Sequence, residues 1–367
     1  MDKKLLRRSR EVNLGERDDI ERDYTAILYS KAFRRLKSKT QVFFLPDNDH
    51  ISTRLDHSLY VAIISKVICR NLGLSGQLAE TIAIGHDLGH SPFGHAGEKI
   101  LNRLSACAGG FSHEKQSLRV VDVLEKPRDE GRRCGLNLTL AVRDGIVNHC
   151  GESFLNRLVP SDIPDNNELP GRTRVPCTSE GCVVRLVDKI SYMGRDIDDA
   201  VTAGLIKYRD IPGKIREDIG DTNGQIVDFF VKDMIGSSDD GVIALSEKGS
   251  EYMNVLMKFN YERIYKHPHT ELYTLHTERL LNSLFEILIE KALEIRDEIA
   301  RYSDLSGRAF SFFHEFLRER KYIYFEKEKY ESSSHIFYRA VTDFLASITD
   351  RLAYELMKEF IMPGRLV

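Results

Sequence analysis

The sequence lacks the features that mark secreted and membrane-spanning proteins. Its six cysteines form no CxxC pair, so we expect reduced thiols rather than a disulfide framework or a zinc ribbon. No uninterrupted apolar run approaches the roughly 20 residues that a membrane-spanning helix needs. The N-terminal residues, MDKKLLRRSREVNLGERDD, are charged and contain no apolar signal-peptide core. These absences predict a cytoplasmic protein with no membrane partner.

The chain also lacks a strong charge excess and a sequence repeat. Its 367 residues carry a formal net charge of -3, which provides no broad basic field for binding a nucleic-acid duplex. No repeat at a fixed period is visible, which argues against a repeat architecture. The composition, 42% hydrophobic and 30% charged, is that of an ordinary globular protein with a large core.

The spacing of apolar residues predicts a mostly helical fold. Residues 57–74 repeat apolar side chains at intervals of three and four, and Gly73 provides a helix-ending glycine. The same signals predict further helices at 78–86, 118–124, 138–147, 182–203, 271–302 and 340–360. Two segments, 40–44 and 321–327, are predicted as short strands or hairpin arms. Residues 160–176 and 236–241 are predicted loops.

These patterns place the chain in the all-α class, with at most a small β-hairpin. We expect two parts, which follow each other along the chain. Residues 1–210 form an N-terminal segment and a catalytic domain, and residues 211–367 form a helical region packed on it.

The stretch AIGHDLGHSPFGHAGE, residues 83–98, combines three of the twelve histidines with an aspartate and a glutamate. Adjacent side chains on a helix point about 100° apart, so His86 and Asp87 do not share one face of a core. At the end of a helix, both side chains can converge on one ion. A divalent metal that accepts imidazole and carboxylate ligands would satisfy them.

Two further residues are candidate ligands for the same ion. His57 begins the preceding helix, and Asp188 lies among apolar residues in VVRLVDKISYMGRD. A buried carboxylate without a partner is costly, so Asp188 favours a cation. The glycines and proline of 89–97 mark a compact turn that can bring His90 and His95 towards the metal.

Three stretches resemble the HD-domain deoxynucleoside triphosphate triphosphohydrolases, the dGTPase-like proteins. They are TRLDHSLYVA (53–62), IAIGHDLGHSPFGHAGEKIL (82–101) and VDKISYMGRDIDDA (187–200). The resemblance continues, in the same order, through 21–43, 109–121, 259–268 and 341–356, and so covers nearly the whole chain. It implies the mainly helical HD-domain fold and an enzyme that hydrolyses a deoxynucleoside triphosphate to a deoxynucleoside and inorganic triphosphate, with dGTP as the default substrate.

The resemblance implies a divalent metal ion as cofactor. Its ligands are His57, His86, Asp87 and Asp188, the same four residues that the sequence pattern brings forward. We expect Mg or Mn, although two imidazoles and two carboxylates also suit Fe, Co, Ni or Zn.

The resemblance also implies catalytic residues close to this ion. His95 and Glu98 lie three apart on one helical face and resemble a catalytic dyad in which Glu98 orients His95 for proton transfer. His90 lines the phosphate site, and His113 resembles a further histidine of the family near the site. The alternative for Glu98 is a solvated residue in the first turn of a helix.

The substrate-binding residues that the resemblance implies follow the parts of a nucleotide. They are Arg54 at the α-phosphate, Lys189 at the γ-phosphate, Tyr192 and Asp196 at the deoxyribose, and Gln41 near the sugar and base. Tyr192 would exclude a 2′-hydroxyl by its bulk, and Asp196 would bind the 3′-hydroxyl. The alternative for Tyr192 is a core aromatic residue. Asp56 and Arg195 depart from the family pattern, which leaves the base preference open.

Other functions stay open at this point. The chain could be a different HD-family nucleotide phosphohydrolase, a monophosphatase or a phosphodiesterase, or it could be a nucleic-acid-binding regulatory module. The basic stretch KAFRRLKSK, residues 31–39, is either a solvated helix face or a contact for phosphate or nucleic acid. Besides the dNTP substrate, the expected partners are a nucleotide or single-stranded nucleic-acid effector and further copies of the chain in a homo-oligomer, a tetramer or a hexamer.

Overall fold

The computed structural model describes residues 2–43, 48–125, 135–151, 154–165, 169, 174–239, 241–296, 298–327 and 333–361. These residues form fifteen α-helices and one two-stranded sheet. The prediction of the all-α class is therefore confirmed. Within the described ranges, no helix has both the length and the apolar character needed to cross a bilayer.

The α-helices are numbered in chain order. They are α1 (Asp19–Leu28), α2 (Lys31–Arg35), α3 (Arg54–Asn71), α4 (Gly76–Gly85), α5 (Gly94–Leu104), α6 (His113–Arg119), α7 (Leu140–Val147), α8 (Ser179–Thr202), α9 (Gly213–Asp218), α10 (Asn223–Ser237), α11 (Glu247–Asn260), α12 (Pro268–Ile295), α13 (Arg308–Glu319), α14 (Ser333–Ser347) and α15 (Asp350–Ile361). Short 3₁₀ helices are Lys3–Leu6, Leu36–Ser38, Ala106–Ala108, Tyr208–Asp210 and Ile299–Asp304, and π-helical turns are Val120–Leu124, Tyr261–Tyr265 and Ile323–Lys327.

Helices α3, α4, α7 and α8 pack together, and the predicted metal ligands lie on α3, on α8 and directly after α4. The start of α3 is fixed by a reciprocal cap, in which the Thr53 N–H donates to Asp56 Oδ2 at 2.8 Å and the Asp56 N–H donates to Thr53 Oγ1 at 3.4 Å. Asp56 therefore serves as a capping residue, and this cap places His57 on the first turn. Helix α8 buries the face predicted from its apolar spacing: Val183, Leu186, Ile190, Met193 and Ile197.

The chain turns sharply between α4 and α5. A Cβ atom on Gly89 would lie 2.1 Å from the Ser117 backbone nitrogen, so only glycine allows this close approach to α6. Phe93 and Gly94 both adopt left-handed conformations, with φ values of 64° and 58°. The turn brings the rings of His90 and His95 to a centroid separation of 5.3 Å, which agrees with the predicted compact turn.

Two long predicted helices are interrupted in the structure. The prediction of one helix over 271–302 is wrong because α12 ends at Ile295, where Arg296 has a φ of 56°. The prediction of one helix over 340–360 is wrong because α14 ends at Ser347 and α15 starts at Asp350. This break allows the Asp350 carboxylate to accept the N–H groups of Phe93 at 3.0 Å and Thr40 at 2.8 Å.

The two predicted strands are also wrong. Thr40 forms only an isolated bridge with Thr53, and residue 44 lies outside the described residues. Residues 321–327 are helical, and on this segment Tyr324 is buried with its hydroxyl donating to Asp343 at 2.9 Å. The sheet that does form pairs β1 (Arg157–Leu158) with β2 (Ile243–Ala244) in antiparallel register. Strands of two residues are too short to show the alternation of apolar and polar side chains from which a strand is predicted.

The predicted loops agree with the structure where it describes them. Within 160–176, the described residues form no helix or strand, whereas α10 extends to Ser237 before the turn of 236–241. The predicted boundary near residue 210 stays a prediction. Contacts cross it, because α8 packs on α10 and α11, and α5 packs on α12.

Candidate metal centre and nucleotide site

Four predicted ligands meet at the centre of the α3, α4 and α8 packing. His57 lies on the first turn of α3, His86 and Asp87 follow the last residue of α4, and Asp188 lies in the middle of α8. All four side chains are buried. The structure therefore gathers residues from three separate stretches of sequence into one small volume.

The donor atoms lie at distances that one ion can bridge. His57 Nε2 is 3.0 Å from Asp188 Oδ1 and 4.0 Å from Asp87 Oδ2. His86 Nε2 is 3.5 Å from Asp87 Oδ2 and 3.8 Å from Asp188 Oδ1. His57, His86 and Asp87 each offer one donor atom, and these atoms lie within 4.8 Å of one another.

Hydrogen bonds fix which ring nitrogen faces the centre. The His86 Nδ1–H donates to the Ala83 carbonyl at 2.5 Å, which leaves Nε2 without a hydrogen-bond partner among the described residues. The Ser191 hydroxyl donates to the Asp188 carbonyl at 2.9 Å, so its oxygen accepts from His57 Nδ1 at 3.2 Å. Both histidines therefore aim an Nε2 lone pair inwards, as metal-binding imidazoles do.

The electrostatics also suit a cation. Burial lowers the pKa of His86 to about 4, which keeps this imidazole neutral. Burial alone would raise the pKa of Asp87, but its interactions with His86 and with the Arg54 guanidinium hold it well below its usual range. Burial opposes ionisation of Asp188 too, yet its hydrogen bond to His57 and its interaction with His86 keep its pKa low. Neutral imidazoles with ionised carboxylates are the donor set that a divalent ion requires.

Arg54 lies beside this centre. Its Nη1 donates to Asp87 Oδ2 at 2.8 Å, and its Nε donates to the Thr40 carbonyl at 3.1 Å. The guanidinium is buried, so the ion pair is held at a fixed place between α3 and the turn after α4. A cation in this position can bind a phosphate oxygen next to the metal.

The predicted dyad of His95 and Glu98 forms part of a larger cluster. His95 Nδ1 is 3.3 Å from Glu98 Oε2, and the His95 side chain is 72% exposed. Glu98 interacts more closely with His113, whose backbone N–H donates at 2.9 Å and whose Nδ1 is 3.0 Å from both carboxylate oxygens. Glu98 is therefore largely buried and bound to His113, and it is not the solvated residue that the alternative describes.

Comparison with known proteins places the chain in a family. The HD domain model matches residues 54–193. A deoxyguanosinetriphosphate triphosphohydrolase-like protein of Caldanaerobacter subterraneus subsp. tengcongensis is 36% identical over 95% of this chain and 86% of its own length. Relatives with the same name from Desulfatibacillum aliphaticivorans and Clostridium perfringens strain SM101 are 34% and 38% identical, over 96% and 72% of this chain and 90% and 72% of their own lengths. The chain belongs to the HD-domain, dGTPase-like family. It is thus a hydrolase of the HD-domain class.

His90 is the predicted phosphate-site residue of this dGTPase-like chain. It is fully buried, and neither ring nitrogen has a hydrogen-bond partner among the described residues. Its ring stacks on His113 with centroids 4.5 Å apart and an interplanar angle of 22°. Burial lowers the pKa of His90 well below its usual value. A neutral ring with unpaired nitrogens between the two clusters is suited to contact a ligand or a water molecule.

Tyr192 and Asp196, the predicted sugar contacts, lie one and two turns after Asp188 on α8. Tyr192 is half-buried beside the core, and burial raises the pKa of its hydroxyl. Asp196 is buried, its Oδ2 accepts from the Tyr265 hydroxyl at 2.5 Å, and its Oδ1 has no partner within the described chain. Burial raises the pKa of Asp196 to about 7. Tyr265, which the sequence pattern did not single out, is thus a hydrogen-bond partner of Asp196.

The remaining predicted substrate residues are less tightly placed. Gln41 has a buried Oε1 with no partner among the residues described, and its backbone oxygen lies close to Gly94. Lys189 is half-buried next to Asp188. The structure brings Gln41 near the turn after α4 and Lys189 next to a predicted ligand, but it records no contact that defines a role for either.

The basic stretch 31–39 was predicted to be either a solvated helix face or a contact for phosphate or nucleic acid. Neither description fits the whole stretch. Lys39 is buried, and its ammonium group donates to the carbonyls of His90 and Ala346. Burial lowers the pKa of this lysine. Arg35 lies 3.7 Å from Glu125. Part of the stretch is therefore a structural link between the turn after α4 and the C-terminal helices.

His149 and Cys150 were missed as site residues. They follow α7 after Asn148, whereas His86 and Asp87 follow the last residue of α4 at once. The His149 ring packs against His86 with centroids 4.9 Å apart, and Cys150 Sγ is 3.7 Å from Asp188 Oδ2. A histidine and a second donor within three residues of the end of an apolar helix were a signal present in the sequence.

Proposed function

We propose that this chain is a metal-dependent deoxynucleoside triphosphate triphosphohydrolase that produces a deoxynucleoside and inorganic triphosphate. One structural observation carries the proposal, the convergence of His57, His86, Asp87 and Asp188 with Arg54 at their side. The names of the relatives support the choice of substrate class, with dGTP as the first candidate.

The residues present fit a divalent ion, because two Nε2 lone pairs and two ionised carboxylates face one point. An ion at this point would supply positive charge to the α-phosphate and would lower the pKa of a water molecule. Mg and Mn are the proposed ions, and Fe, Co, Ni and Zn also suit the donors. Of the two carboxylates, Asp188 lies closer to His57, at 3.0 Å from Nε2 compared with 4.0 Å for Asp87.

Arg54 would hold the α-phosphate against this centre. Its Nη1 bonds Asp87 at 2.8 Å, which leaves other N–H groups of the planar guanidinium to bind phosphate oxygens. Lys189 is proposed to meet the γ-phosphate, one residue beyond Asp188. In hydrolysis, the oxygen of water bonds to the α-phosphorus while the bond between phosphorus and O5′ breaks.

His95 and Glu98 would manage the protons of this step. The leaving O5′ must gain a proton, and the exposed His95 ring can deliver it while Glu98, 3.3 Å away, orients the imidazole. His90 would contact the phosphate with its unpaired nitrogens. We propose that His113 supports Glu98, because it forms the closer contact with that carboxylate.

The sugar pocket would be formed by Tyr192, Asp196 and Gln41. Asp196 Oδ1 and Gln41 Oε1 are buried acceptors without partners in the described residues, and a buried acceptor favours a ligand that donates a hydrogen bond. The 3′-hydroxyl of a deoxyribose can donate to Asp196. The Tyr192 ring would occupy the space of a 2′-hydroxyl, so ribonucleotides would bind more weakly.

The predicted partners remain proposals. Leu272 and Leu275 on α12 are 51% and 44% exposed, and such apolar side chains suit contacts between copies in a tetramer or hexamer. Light scattering of the purified protein measures this state. A nucleotide or single-stranded nucleic-acid effector would appear as a change in turnover when it is added to the assay.

The deciding experiment is product analysis. The purified protein is incubated with Mg or Mn and each of the four dNTPs and GTP, and the products are resolved. Release of inorganic triphosphate from dNTPs, with little from GTP, is the expected result. Release of phosphate or pyrophosphate alone would support the alternative phosphohydrolases, and no turnover with retained single-strand binding would support the regulatory module. Asp188→Asn should lose activity, whereas the control Asp198→Asn, whose native carboxylate bonds Tyr208 at 3.1 Å, should retain it.

A further inference from the structure

Three donor atoms outside the proposed metal centre converge on the far side of Asp188. His113 Nε2 is 3.2 Å from His149 Nε2, and Cys150 Sγ is 3.8 Å from His113 Nε2. All three atoms lie within 4.8 Å of one another. Cys150 Sγ also lies 3.7 Å from Asp188 Oδ2, whereas the other oxygen of that carboxylate faces His57.

Both histidines are oriented as metal ligands are. His149 Nδ1 lies 2.6 Å from the Ile146 carbonyl, and His113 Nδ1 lies 3.0 Å from the Glu98 carboxylate. A carbonyl and an ionised carboxylate only accept hydrogen bonds, so each Nδ1 carries a hydrogen. A neutral ring then has its lone pair on Nε2. An imidazole that donates its other nitrogen to a carbonyl or carboxylate is typical of metal sites.

Two lone pairs that face each other at 3.2 Å repel unless a proton or a metal ion lies between them. The spacing matches a shared ion. In a tetrahedral site with bonds of about 2.0–2.1 Å to nitrogen and oxygen and about 2.3 Å to sulfur, two nitrogens lie about 3.3 Å apart, and sulfur lies about 3.6 Å from either. The observed separations are 3.2 Å between nitrogens, 3.8 Å from sulfur to nitrogen and 3.7 Å from sulfur to oxygen.

We propose that His113, His149 and Cys150 bind a second divalent ion, and that Asp188 is a ligand shared with the first. A thiolate and two imidazoles favour zinc or cobalt over magnesium. Every described cysteine is a free thiol, so Cys150 is not consumed by a disulfide. His113 thereby becomes a ligand, and Glu98 supports it through Nδ1. This site goes beyond the proposed reaction, because hydrolysis at the α-phosphorus needs only the first ion.

Cobalt binding tests the second site without any substrate. The metal-free full-length protein is titrated with Co²⁺, and bound metal per chain is measured after removal of free ions. Two ions per chain and a near-ultraviolet charge-transfer band from sulfur to cobalt are expected. Cys150→Ser should lose the band and about one ion, while Cys107→Ser, which alters an exposed thiol, should keep both.

The other outcomes overturn the proposal. A single bound ion without a sulfur band in the parent protein contradicts it, as does a band that survives in Cys150→Ser. If that variant does not fold, His149→Gln keeps the thiol and should still lose the second ion. Because the spectrum needs no nucleotide, failure of this site is distinguishable from failure of the proposed triphosphohydrolase activity.

Discussion

The ends of α4 and α7 position a histidine through the same hydrogen bond but follow it with different donors. At each end a histidine donates Nδ1–H to the carbonyl three residues earlier, His86 to Ala83 and His149 to Ile146. The last carbonyls of a helix lack partners within the helix, so they orient the imidazole without help from other side chains. The next residue provides the second donor, a carboxylate in Asp87 and a thiol in Cys150. The helix end thus fixes the histidine, and the residue that follows the histidine selects the ion.

Removal of Asp188 should break both sites and have the largest effect. Its two oxygens face the two donor groups, Oδ1 towards His57 and Oδ2 towards Cys150. Loss of a partner that only orients a ligand costs about 10–100-fold, so we expect Asp188→Ala to lower kcat/KM by more than about 100-fold. Measurements of turnover and of bound metal per chain on the Asp188→Ala variant test both losses. Full activity with two ions would show that neither site needs the carboxylate.

His95→Ala should separate proton transfer from metal binding. The exposed imidazole contacts Glu98 and none of the proposed ligands of the first ion. Removal of a proton-transfer residue costs about 100-fold or more in rate, so kcat should fall by about that factor while bound metal stays unchanged. Steady-state kinetics and metal analysis of the same preparation test this. A loss of metal, or a change confined to KM, would place His95 outside the chemical step.

Ser191→Ala should weaken the α4 site and spare the α7 site. The Ser191 hydroxyl accepts from His57 Nδ1 at 3.2 Å. Its hydrogen bond to Asp188, the ligand shared with the second site, goes to the backbone carbonyl and not to the carboxylate. The affinity for the first ion should fall about 10–100-fold, with the cobalt–sulfur band retained. Competition with a chelator measures the affinity. An equal loss of affinity for both ions would show that the two sites do not respond independently.

Asp196 offers a smaller test on the same helix as Asp188. Burial raises the pKa of Asp196 to about 7, whereas an unfolded aspartate has a pKa of about 3.9. The folded protein therefore binds the proton of the Asp196 carboxyl more tightly than the unfolded chain does. Its contribution to the free energy of unfolding falls as pH rises from about 4 to about 7, and above about pH 7 it no longer changes. Asp196→Asn should flatten this dependence in urea unfolding of the metal-free protein. If Asp196→Asn leaves the pH dependence of the free energy of unfolding unchanged, the raised pKa of Asp196 is contradicted.

The sequence predicted the helical class and gathered the four proposed ligands because apolar spacing and clustered donors are local signals. It did not predict the break between α14 and α15, since Asp350 bonds backbone groups some 250 to 310 residues away. It treated 321–327 as a strand, because aromatic content does not reveal the buried partner of Tyr324. Cys150 was passed over although it follows a histidine near the end of a predicted helix, because only folding brings His113 beside it.

The most direct test of the account is an anomalous difference map from a crystal soaked in Mn²⁺. We predict a peak within bonding distance of His57 Nε2, His86 Nε2 and carboxylate oxygens of Asp87 and Asp188. A peak held instead by His90, His95 and Glu98, with none between α3, α4 and α8, would contradict it.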